Sequence, residues 1–259
     1  MGIEDIPSTH PRAQSLNMRH ALIQGVKDGI VADSGLIAHG RGEAFDYLIG
    51  ERTNKFAEDA IEAAAALLFL AKKPIISVNG NTAILCPKEM TEFSNSTGIP
   101  LEVNLFYRTG SRIENIAKIF HSLGSKYLLG TDERQQVELD GFDSYRRIVD
   151  KRGIYQADVV VVPLEDGDRT ENLVRMGKKV VTIDLNPLSR TSIAASITVV
   201  DNIIRFFPLL QEKYHSLDKE RAEQVIDNYD NKVILRKSLE TIASLWKEEL
   251  DKKYSMFHS

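Results

Sequence analysis

The stretch DVVVVPLEDGDRT, residues 158–170, decides the fold class of this 259-residue chain. It begins with four consecutive valines after an aspartate and ends in a run of acids, glycine and arginine. A strand that is apolar on both faces is typical of a parallel sheet covered by helices on each side. Asp168 and Glu171 have the spacing of a capping box, which predicts Asp168 as a helix N-cap. The stretch therefore predicts a buried strand that leads through a polar turn into a helix.

The same pattern recurs along the middle of the chain. Short β-branched runs predict five further strands, at Pro74–Val78, Leu101–Leu105, Lys126–Leu129, Lys179–Asp184 and Ile197–Val200. Helical patterns separate many of these runs, and strands that alternate with helices imply right-handed crossovers and a parallel sheet. We therefore predict an α/β fold with helices flanking a parallel sheet.

The two ends of the chain read as helical. We predict three segments: residues 1–73, helical and packed on the sheet; residues 74–208, the α/β core; and residues 209–259, a long C-terminal helical extension. The strongest helical patterns at the two ends are Lys55–Ala71 and Leu217–Lys253, where apolar residues recur at helical spacing.

Composition excludes several classes of function. The net charge of −4 argues against a broad surface for nucleic acid or for an anionic membrane. Cys86 is the only cysteine, so an internal disulfide and a multi-cysteine metal site are excluded, and we assign no metal ligand. The first residues lack a signal-peptide pattern, and the longest apolar run, Ala63–Ala71, is too short to span a bilayer. We expect a soluble cytoplasmic protein.

The segment Gly35–Leu48, GLIAHGRGEAFDYL, gathers ionisable side chains between glycines. His39, Arg41, Glu43 and Asp46 are costly to bury without partners, and glycine weakens helices and strands. We predict an anion-binding or catalytic loop here. A plain turn, whose acids help to start a helix, is the alternative.

Polar tails follow the predicted strands, and ligands of open α/β sheets bind at the carboxyl ends of the strands. Asn79–Thr82 could be a phosphate-binding turn or a tight strand-to-helix turn. Asp184–Thr191 has the layout of a nucleotide-contacting element, with an acid at a strand end and Arg190 near a helix start. Glu165–Thr170 adds carboxylates of the kind that hold Mg²⁺.

Six ordered motifs carry a resemblance to the archaeal phosphopantothenate synthetases, or 4-phosphopantoate–β-alanine ligases: HGRGEAFDYL, ISVNGNTA, LEVNLFYR, GIYQADVVVVPLEDGDRTE, RMGKKV and IDLNPLSRTS. The resemblance covers about His10 to about Pro208, and nothing is carried over to the C-terminal extension. It implies a Rossmann-like, homodimeric enzyme of coenzyme A biosynthesis. Such an enzyme condenses 4-phosphopantoate with β-alanine, using ATP and releasing AMP and pyrophosphate through an acyl-adenylate.

The resemblance also implies which residues contact ATP. By position in the motifs LNMRHAL, HGRGE, DLNPLSRT and VDNI they are Arg19, Arg41, Asp184, Leu185, Asn186, Arg190, Thr191, Asn202 and Ile203.

The implied chemistry assigns three further residues and one ion. Negative charge builds up on the phosphorus oxygens during the first step, and arginines and Mg²⁺ stabilise that charge. His39 is our candidate for the base that accepts a proton from the amine of β-alanine. Arg108 and Arg169 both follow strands, and either could bind the 4-phosphate. With Arg41 at the triphosphate, the Gly35–Leu48 loop would form a wall of the site.

Two other functions compete with the ligase. A nicotinamide dehydrogenase would use the same sheet, but the chain lacks the G-x-G-x-x-G fingerprint. A non-catalytic adenine-nucleotide-binding regulatory protein would keep the Asp184–Thr191 site and use the C-terminal helix as its output.

Overall fold

A computed structural model describes residues 6–7, 9–10, 12–141 and 144–258 of the chain. These residues form two compact units. Unit 1 comprises Met1–Arg41 and Lys72–Leu164, and unit 2 comprises Gly42–Ala71 and Glu165–Ser259.

The regular elements alternate along the chain much as the sequence predicts. The helices are α1 (Ala13–Lys27), α2 (Asp33–Leu48), α3 (Lys55–Leu70), α4 (Gly80–Leu85), α5 (Pro87–Thr97), α6 (Gly110–Ser122), α7 (Gly167–Arg175), α8 (Arg190–Ala194), α9 (Ile203–His215), α10 (Lys219–Asp227) and α11 (Asn231–His258). The strands are β1 (Pro74–Val78), β2 (Leu101–Val103), β3 (Leu128–Leu129), β4 (Gln136–Glu138), β5 (Ile148–Asp150), β6 (Val159–Pro163), β7 (Lys179–Ile183) and β8 (Ile197–Val199).

Unit 1 is built on four parallel strands in the order β3-β2-β1-β6. Leu101 pairs with Ile76 on one side of β1, and Val160 pairs with Ile75 on the other side. Every residue of β6 is buried, as expected for a strand covered on both faces. The chain therefore crosses from one edge of this sheet to the far side of β1, and such a switch in strand order is where open α/β sheets bind ligands.

Unit 2 contains the parallel pair β7 and β8, with Val181 opposite Ile197. Helix α3 packs against β8 and against α9, α10 and α11. Its buried face is rich in alanine, including the run from Ala63 to Ala66. Alanine has the highest helix propensity, and its short side chain lets neighbouring helices approach closely. This explains why the strongest helical pattern in the sequence forms the centre of unit 2.

The predicted α/β class, with parallel strands flanked by helices, is confirmed. All six predicted strands are present, and each boundary lies within two residues of its predicted position. The helical C-terminal region is confirmed as well, but it consists of the end of α9 followed by two further helices, α10 and α11. The division into three segments stays a prediction; its boundary after residue 208 lies inside α9.

The predicted loop at Gly35–Leu48 is wrong, because this segment belongs to helix α2. The glycine at position 35 has a packing reason: a Cβ there would lie 2.4 Å from Oδ1 of Asn81. Asn81 also donates a hydrogen bond from Nδ2 to the Gly35 carbonyl, at 2.9 Å. Tertiary contacts of this kind override the local cost of glycine in a helix.

The antiparallel hairpin of β4 and β5 was not predicted from the sequence. Its strands have three residues each, and those of β4 are half-buried or exposed, so no apolar run marks it. Within the described part of the chain, no helix is both long and apolar enough to cross a membrane.

Candidate active site

The turn after β1 lies at the switch in strand order of unit 1. The Asn79 side chain accepts a hydrogen bond from Thr82 N at 3.0 Å and donates from Nδ2 to the Pro163 carbonyl at 2.9 Å. Thr82 Oγ1 in turn accepts from Asn79 N, which completes a capping box for α4. Of the two alternatives for this segment, the structure shows the tight strand-to-helix turn, which joins the ends of β1 and β6.

Asn104 follows β2 and is fully buried. Its Nδ2 donates to two main-chain carbonyls of the hairpin, those of Arg146 at 3.2 Å and Ile148 at 2.9 Å. These two acceptors fix the orientation of the amide, since an oxygen in that position would face two oxygens. Asn104 therefore fastens the hairpin to the carboxyl end of β2. Its Oδ1 has no hydrogen-bond partner among the described residues.

Arg108 and Arg112 bring two guanidinium groups to the same end of β2. Arg108 donates from Nη2 to the Gly130 carbonyl at 3.3 Å, while its buried Nη1 has no partner in the described part of the chain. Arg112 donates to the carbonyls of Ile30, at 2.7 Å, and Tyr107. Burial lowers the pKa of both arginines, because a low dielectric disfavours the charged form. Their described acceptors are carbonyls, and the charges of Glu102 and Glu133 offset part of the cost of burying Arg108.

Two buried carboxylates hold the hairpin and the turn that follows it. Glu102, in the middle of β2, accepts from Asp150 N at 2.9 Å and from Ile154 N at 2.6 Å. Asp150 accepts from Gly130 N at 3.3 Å and from the Arg152 side chain. Burial opposes ionisation of Asp150, but the hydrogen bonds from Arg152 outweigh it and lower the pKa of that carboxyl group.

In unit 2, the tail of β7 is a turn stabilised by its own polar side chains. Asp184 accepts from Asn186 N at 2.9 Å and from the Ser189 hydroxyl. Asn186 Oδ1 accepts from Leu188 N at 2.9 Å. Ser189 also caps α8 by accepting from Ser192 N. The Asp184 and Asn186 side chains thus fix the conformation of the turn and the positions of its backbone groups.

Arg190 lies at the start of α8 and pairs with two acids of α7. Its guanidinium is 2.7 Å from the Asp168 carboxylate and 3.0 Å from that of Glu171. The predicted N-cap role of Asp168 is wrong, because α7 begins at Gly167 and its N-cap is Asp166. Asp168 instead holds Arg190, whose side chain is largely exposed and therefore accessible to an anionic ligand.

Thr191 and Arg169 are both buried in contacts to one residue, Glu165. The Thr191 hydroxyl donates to the Glu165 carbonyl at 2.9 Å. The Arg169 guanidinium forms an ion pair with the Glu165 carboxylate, and both side chains are almost inaccessible to solvent. This pair fixes the start of α7.

Asp46 belongs to a buried network of unit 2. Asn202 Nδ2 donates to Asp46 Oδ2 at 2.7 Å, and Arg205 binds the carboxylates of both Asp46 and Asp201. Thr53 donates to the second Asp201 oxygen at 2.6 Å. Burial opposes the charge on Arg205, but the two acids raise its pKa. Asp46 therefore holds Asn202 and Arg205, and it does not help to start a helix, which was the alternative for this segment.

The predicted site residues fall into groups within each unit. In unit 1, Arg19 lies on α1 and His39 and Arg41 on α2, with both arginines exposed and His39 half-buried. Because β7 and β8 are adjacent and parallel, their tails lie at the same edge. That edge brings together the unit 2 residues Asp184, Leu185, Asn186, Arg190, Thr191, Asn202 and Ile203.

Sequence reasoning missed Glu102, Arg146 and Arg205. Glu102 had a usable signal, since a carboxylate inside an otherwise apolar strand needs partners when buried. Arg146 and Arg205 had none, because their importance depends on contacts with residues that are distant in sequence.

Comparison with known proteins agrees with this architecture. The profile of the family described as phosphopantothenate/pantothenate synthetase matches residues 56–245. A protein of Thermococcus onnurineus named 4-phosphopantoate–beta-alanine ligase is 52% identical over 230 residues, which are 87% of each chain.

Two further relatives carry the same name. The Thermococcus kodakarensis protein is 50% identical, over 88% of both chains. The Methanosarcina mazei protein is 48% identical, over 92% of this chain and 94% of its own. With a profile that spans most of the chain and relatives of this similarity over nearly their whole lengths, the chain belongs to the phosphopantothenate/pantothenate synthetase family.

Proposed function

We propose that this protein is a 4-phosphopantoate–β-alanine ligase that consumes ATP and releases AMP and pyrophosphate. The observation that carries the proposal is the shared name of the relatives, which are about half identical to the chain over most of their length. They support an enzyme and give no support to a non-catalytic nucleotide-binding protein.

The reaction has two steps that balance in atoms and charge. First, a carboxylate oxygen of 4-phosphopantoate attacks the α-phosphorus of ATP, and the bond to the β-phosphate oxygen breaks to release pyrophosphate. Next, the neutral amine of β-alanine attacks the acyl carbon, AMP leaves, and the amine loses a proton. Both steps bring anions together, so fixed cations are the main requirement.

ATP would bind at the edge of unit 2 formed by the tails of β7 and β8. The Asp184–Ser189 turn is stabilised internally, which pre-organises its backbone for a ligand. Leu185 and Ile203 are buried and would form an apolar floor under the bound nucleotide. Asn202 is held by Asp46 and also caps α9. Arg19 and Arg41, which the family resemblance also assigns to ATP, belong to unit 1.

Arg190 would exchange partners when ATP binds. In the structure it pairs with Asp168 and Glu171, two exposed or partly exposed acids. Exposed ion pairs of this kind contribute about 0–1 kcal/mol, so a triphosphate can compete for the guanidinium at low cost.

For the 4-phosphate we favour Arg108 over Arg169. The described hydrogen-bond acceptor of Arg108 is a carbonyl, and burial lowers the pKa of its guanidinium because the charges of Glu102 and Glu133 offset the burial only in part. Arg169 is already compensated by the buried carboxylate of Glu165. Binding a phosphate through Arg169 would require that this ion pair be broken. Breaking a buried ion pair costs more free energy than placing a phosphate beside Arg108.

His39 is proposed as the group that accepts the proton of the β-alanine amine. It lies on α2, two residues before Arg41, and is half-buried. A His39→Gln variant should lose activity most at the pH values where the imidazole is neutral. Full turnover of this variant over the whole pH profile would exclude the role.

Mg²⁺ is proposed to enter as the complex with ATP. Among the residues that the structure describes, no group of three or more His, Cys, Asp or Glu side chains is arranged to hold a metal ion. The triphosphate itself would supply most ligands, as is usual for Mg²⁺. We also propose a homodimer located in the cytoplasm, in line with the family resemblance.

The decisive experiment measures the nucleotide products with purified protein, ATP, Mg²⁺, 4-phosphopantoate and β-alanine. We expect AMP and pyrophosphate in equal amounts, and only when both organic substrates are present. ADP as the product would contradict the acyl-adenylate and indicate a phosphoryl transfer. Absence of turnover under these conditions would overturn the proposed function.

A further inference from the structure

The C-terminal helix α11 contacts the β7–β8 edge of unit 2 through the side chain of its first residue, Asn231. The start of α11 is capped by Asp230, whose Oδ1 accepts from Lys232 N at 2.8 Å and from Val233 N at 3.3 Å. The Asn231 amide is therefore available for other elements, and its described hydrogen bonds are made with groups outside α11.

The two ends of this amide bind two different elements. Its Oδ1 accepts from Thr198 N, in β8, at 2.7 Å and from the Tyr229 hydroxyl at 2.9 Å. Its Nδ2 donates to the carbonyls of Ser192 at 3.1 Å and Ala195 at 3.2 Å. Because a main-chain N–H can only donate and a carbonyl can only accept, these partners fix the orientation of the amide. Asn231 therefore joins β8 to the end of α8.

Helix α8 depends on such partners. It has five residues, and so short a helix is not stable by itself. The carbonyls of the last turn of a helix have no partner within the helix and need donors from elsewhere. Asn231 supplies one donor, and the Thr198 hydroxyl supplies another, which reaches the Ser192 carbonyl at 2.7 Å. The conformation of α8 is thus set in part by residues outside it.

The same hydrogen bonds continue into the turn that follows β7. The Ser192 hydroxyl donates to the Asn186 carbonyl at 2.8 Å. Ser192 N donates to Ser189 Oγ, and that hydroxyl donates to the Asp184 carboxylate. Ser192 is fully buried, so water does not compete for these bonds. Ser192 therefore connects Asn231 to the turn.

We propose that Asn231 is a positioning residue of the ATP site, which through Ser192 holds α8 and the Asp184–Ser189 turn in the conformation that binds the nucleotide. This proposal rests on the proposed function and deepens it, and it gives the C-terminal helix a role within the ligase. Arg190 and Thr191, which α8 carries, keep their places relative to the turn only while these bonds are intact.

The competing explanation is that Asn231 only fastens α11 to β8. The isosteric variant Asn231→Asp separates the two explanations. It keeps the oxygen that accepts from Thr198 N, but it places a second oxygen opposite the carbonyls of Ser192 and Ala195. An ionised carboxylate cannot donate a hydrogen bond. Asn231→Asp therefore breaks the bonds to α8 and keeps the bond to β8.

The test compares the wild type with Asn231→Asp and Asn231→Ala. It measures KM for ATP, 4-phosphopantoate and β-alanine, and Kd of Mg²⁺-ATP by calorimetric titration. Asn228→Asp is the matched control, because the Asn228 Nδ2 also donates to a carbonyl near a helix end, that of Gln224 at 2.7 Å, but in α10. These constants do not depend on the fraction of protein that is folded.

For Asn231→Asp we expect KM for ATP and Kd of Mg²⁺-ATP to rise about five- to twentyfold, the usual effect of leaving buried carbonyls without their donor. KM for the two other substrates should stay within about twofold. Asn231→Ala should show at least the same rise, and Asn228→Asp should match the wild type. If both Asn231 variants are insoluble, Thr198→Val decides by the same comparison, because it removes the hydroxyl that donates to Ser192.

An unchanged KM for ATP in Asn231→Asp, equal rises of all three KM values, or the same rise in Asn228→Asp would overturn the positioning role and leave the proposed function intact. If the wild type releases no AMP, the proposed function fails, and Kd of Mg²⁺-ATP alone decides on Asn231. Tighter binding by the wild type than by Asn231→Asp would support the positioning role. Equal binding, or no binding by either protein, would overturn it.

Discussion

Polar side chains at the strand ends form hydrogen bonds with the backbone of their own turns, whether or not a ligand is bound. Asn79, Asp184 and Asn186 each bind main-chain groups of their own turn. Substituting any of them alters the turn as well as a possible contact, so loss of activity in such variants has two explanations. Exposed arginines are better probes, because their removal leaves the fold almost unaffected.

Arg41→Ala tests the nucleotide site at this scale. Arg41 is exposed on α2, so we expect KM for ATP to rise about tenfold through the lost charge-assisted hydrogen bond, with the melting temperature unchanged. Steady-state kinetics at saturating 4-phosphopantoate and β-alanine measure the change. Arg52→Ala, another exposed arginine, should behave as wild type. A variant that unfolds, or one with unchanged KM, would show that Arg41 does not contact ATP.

The sequence identifies residues whose signal is local and misses those whose partner is distant. Arg108 stood out because it follows a predicted strand, and Arg190 stood out because it lies near a predicted helix start. The partners of Asp46 lie more than 150 positions away and could not be inferred from spacing. From the sequence, its carboxylate belongs to a predicted loop or, in the alternative, helps to start a helix, whereas in the structure it is buried against Arg205.

At the scale of elements, the buried strands were predictable and the exceptions have physical causes. Runs such as VVVV in β6 and VVTI in β7 carry a strong β signal because both faces are covered. Helix α2 was missed because its glycines suggest a loop until the close packing of Gly35 against Asn81 is known. The hairpin was missed because its strands have only three residues each, and those of β4 are half-buried or exposed, so that no apolar pattern marks it.

The network of Asp46, Arg205 and Asp201 joins α2 to α9, and Arg205→Met should reveal its contribution. Removing the cation leaves two buried carboxylates without their counter-charge, which should lower the free energy of unfolding by about 3–5 kcal/mol. Urea denaturation at neutral pH measures the loss.

Arg221→Met is the matched control for that variant. Arg221 pairs with Glu62 at the surface, so its loss should lower the free energy of unfolding by less than about 1 kcal/mol. The double variant Asp46→Asn with Arg205→Met should recover part of the stability, since one buried charge is removed. Equal effects of Arg205→Met and Arg221→Met would contradict the importance of the network.

The attachment of the hairpin should depend on pH through Asp150. Its pKa is lower in the folded protein than the unfolded value of about 3.9, so its contribution is present above that value and is lost as the pH falls through the folded pKa. Asp150→Asn should therefore be less stable than wild type by about 1–3 kcal/mol at pH 7, and the difference should narrow below about pH 4. Urea denaturation at a series of pH values measures it.

Asp140→Asn is the control for this pH dependence. Asp140 is exposed near the same hairpin, so its substitution should leave the stability difference close to zero at every pH. A constant difference between Asp150→Asn and wild type down to pH 3 would show that the ionised carboxylate is not the stabilising form.

At the scale of the whole molecule, a chain with a net charge of −4 must attract substrates that are themselves anions. Local guanidinium groups, such as those of Arg108 and Arg190, would provide the attraction that the overall charge does not. Binding should accordingly weaken at high ionic strength, because screening shortens the range of these charges.

ATP should stabilise the folded protein as a whole. At a concentration of about 100 times Kd, a ligand that binds only the native state adds about 2.7 kcal/mol, which corresponds to a rise in melting temperature of about 5–10 °C for a chain of this size. Differential scanning calorimetry with and without Mg²⁺-ATP measures the shift. Arg41→Ala should reduce it at the same ATP concentration, and no shift for the wild type would argue against nucleotide binding.

The chain contains one tryptophan, Trp246, in the C-terminal helix. Its indole Nε1 donates to the Leu48 carbonyl at 2.8 Å, and its ring centre lies 4.8 Å from that of Tyr47. Tyr47 at the end of α2 and Trp246 in α11 thus form an intrinsic fluorescence donor–acceptor pair, in which Tyr47 transfers excitation energy to the indole. Any event that separates these two helices would change the ratio of tyrosine to tryptophan emission, and this change can be measured without an attached dye.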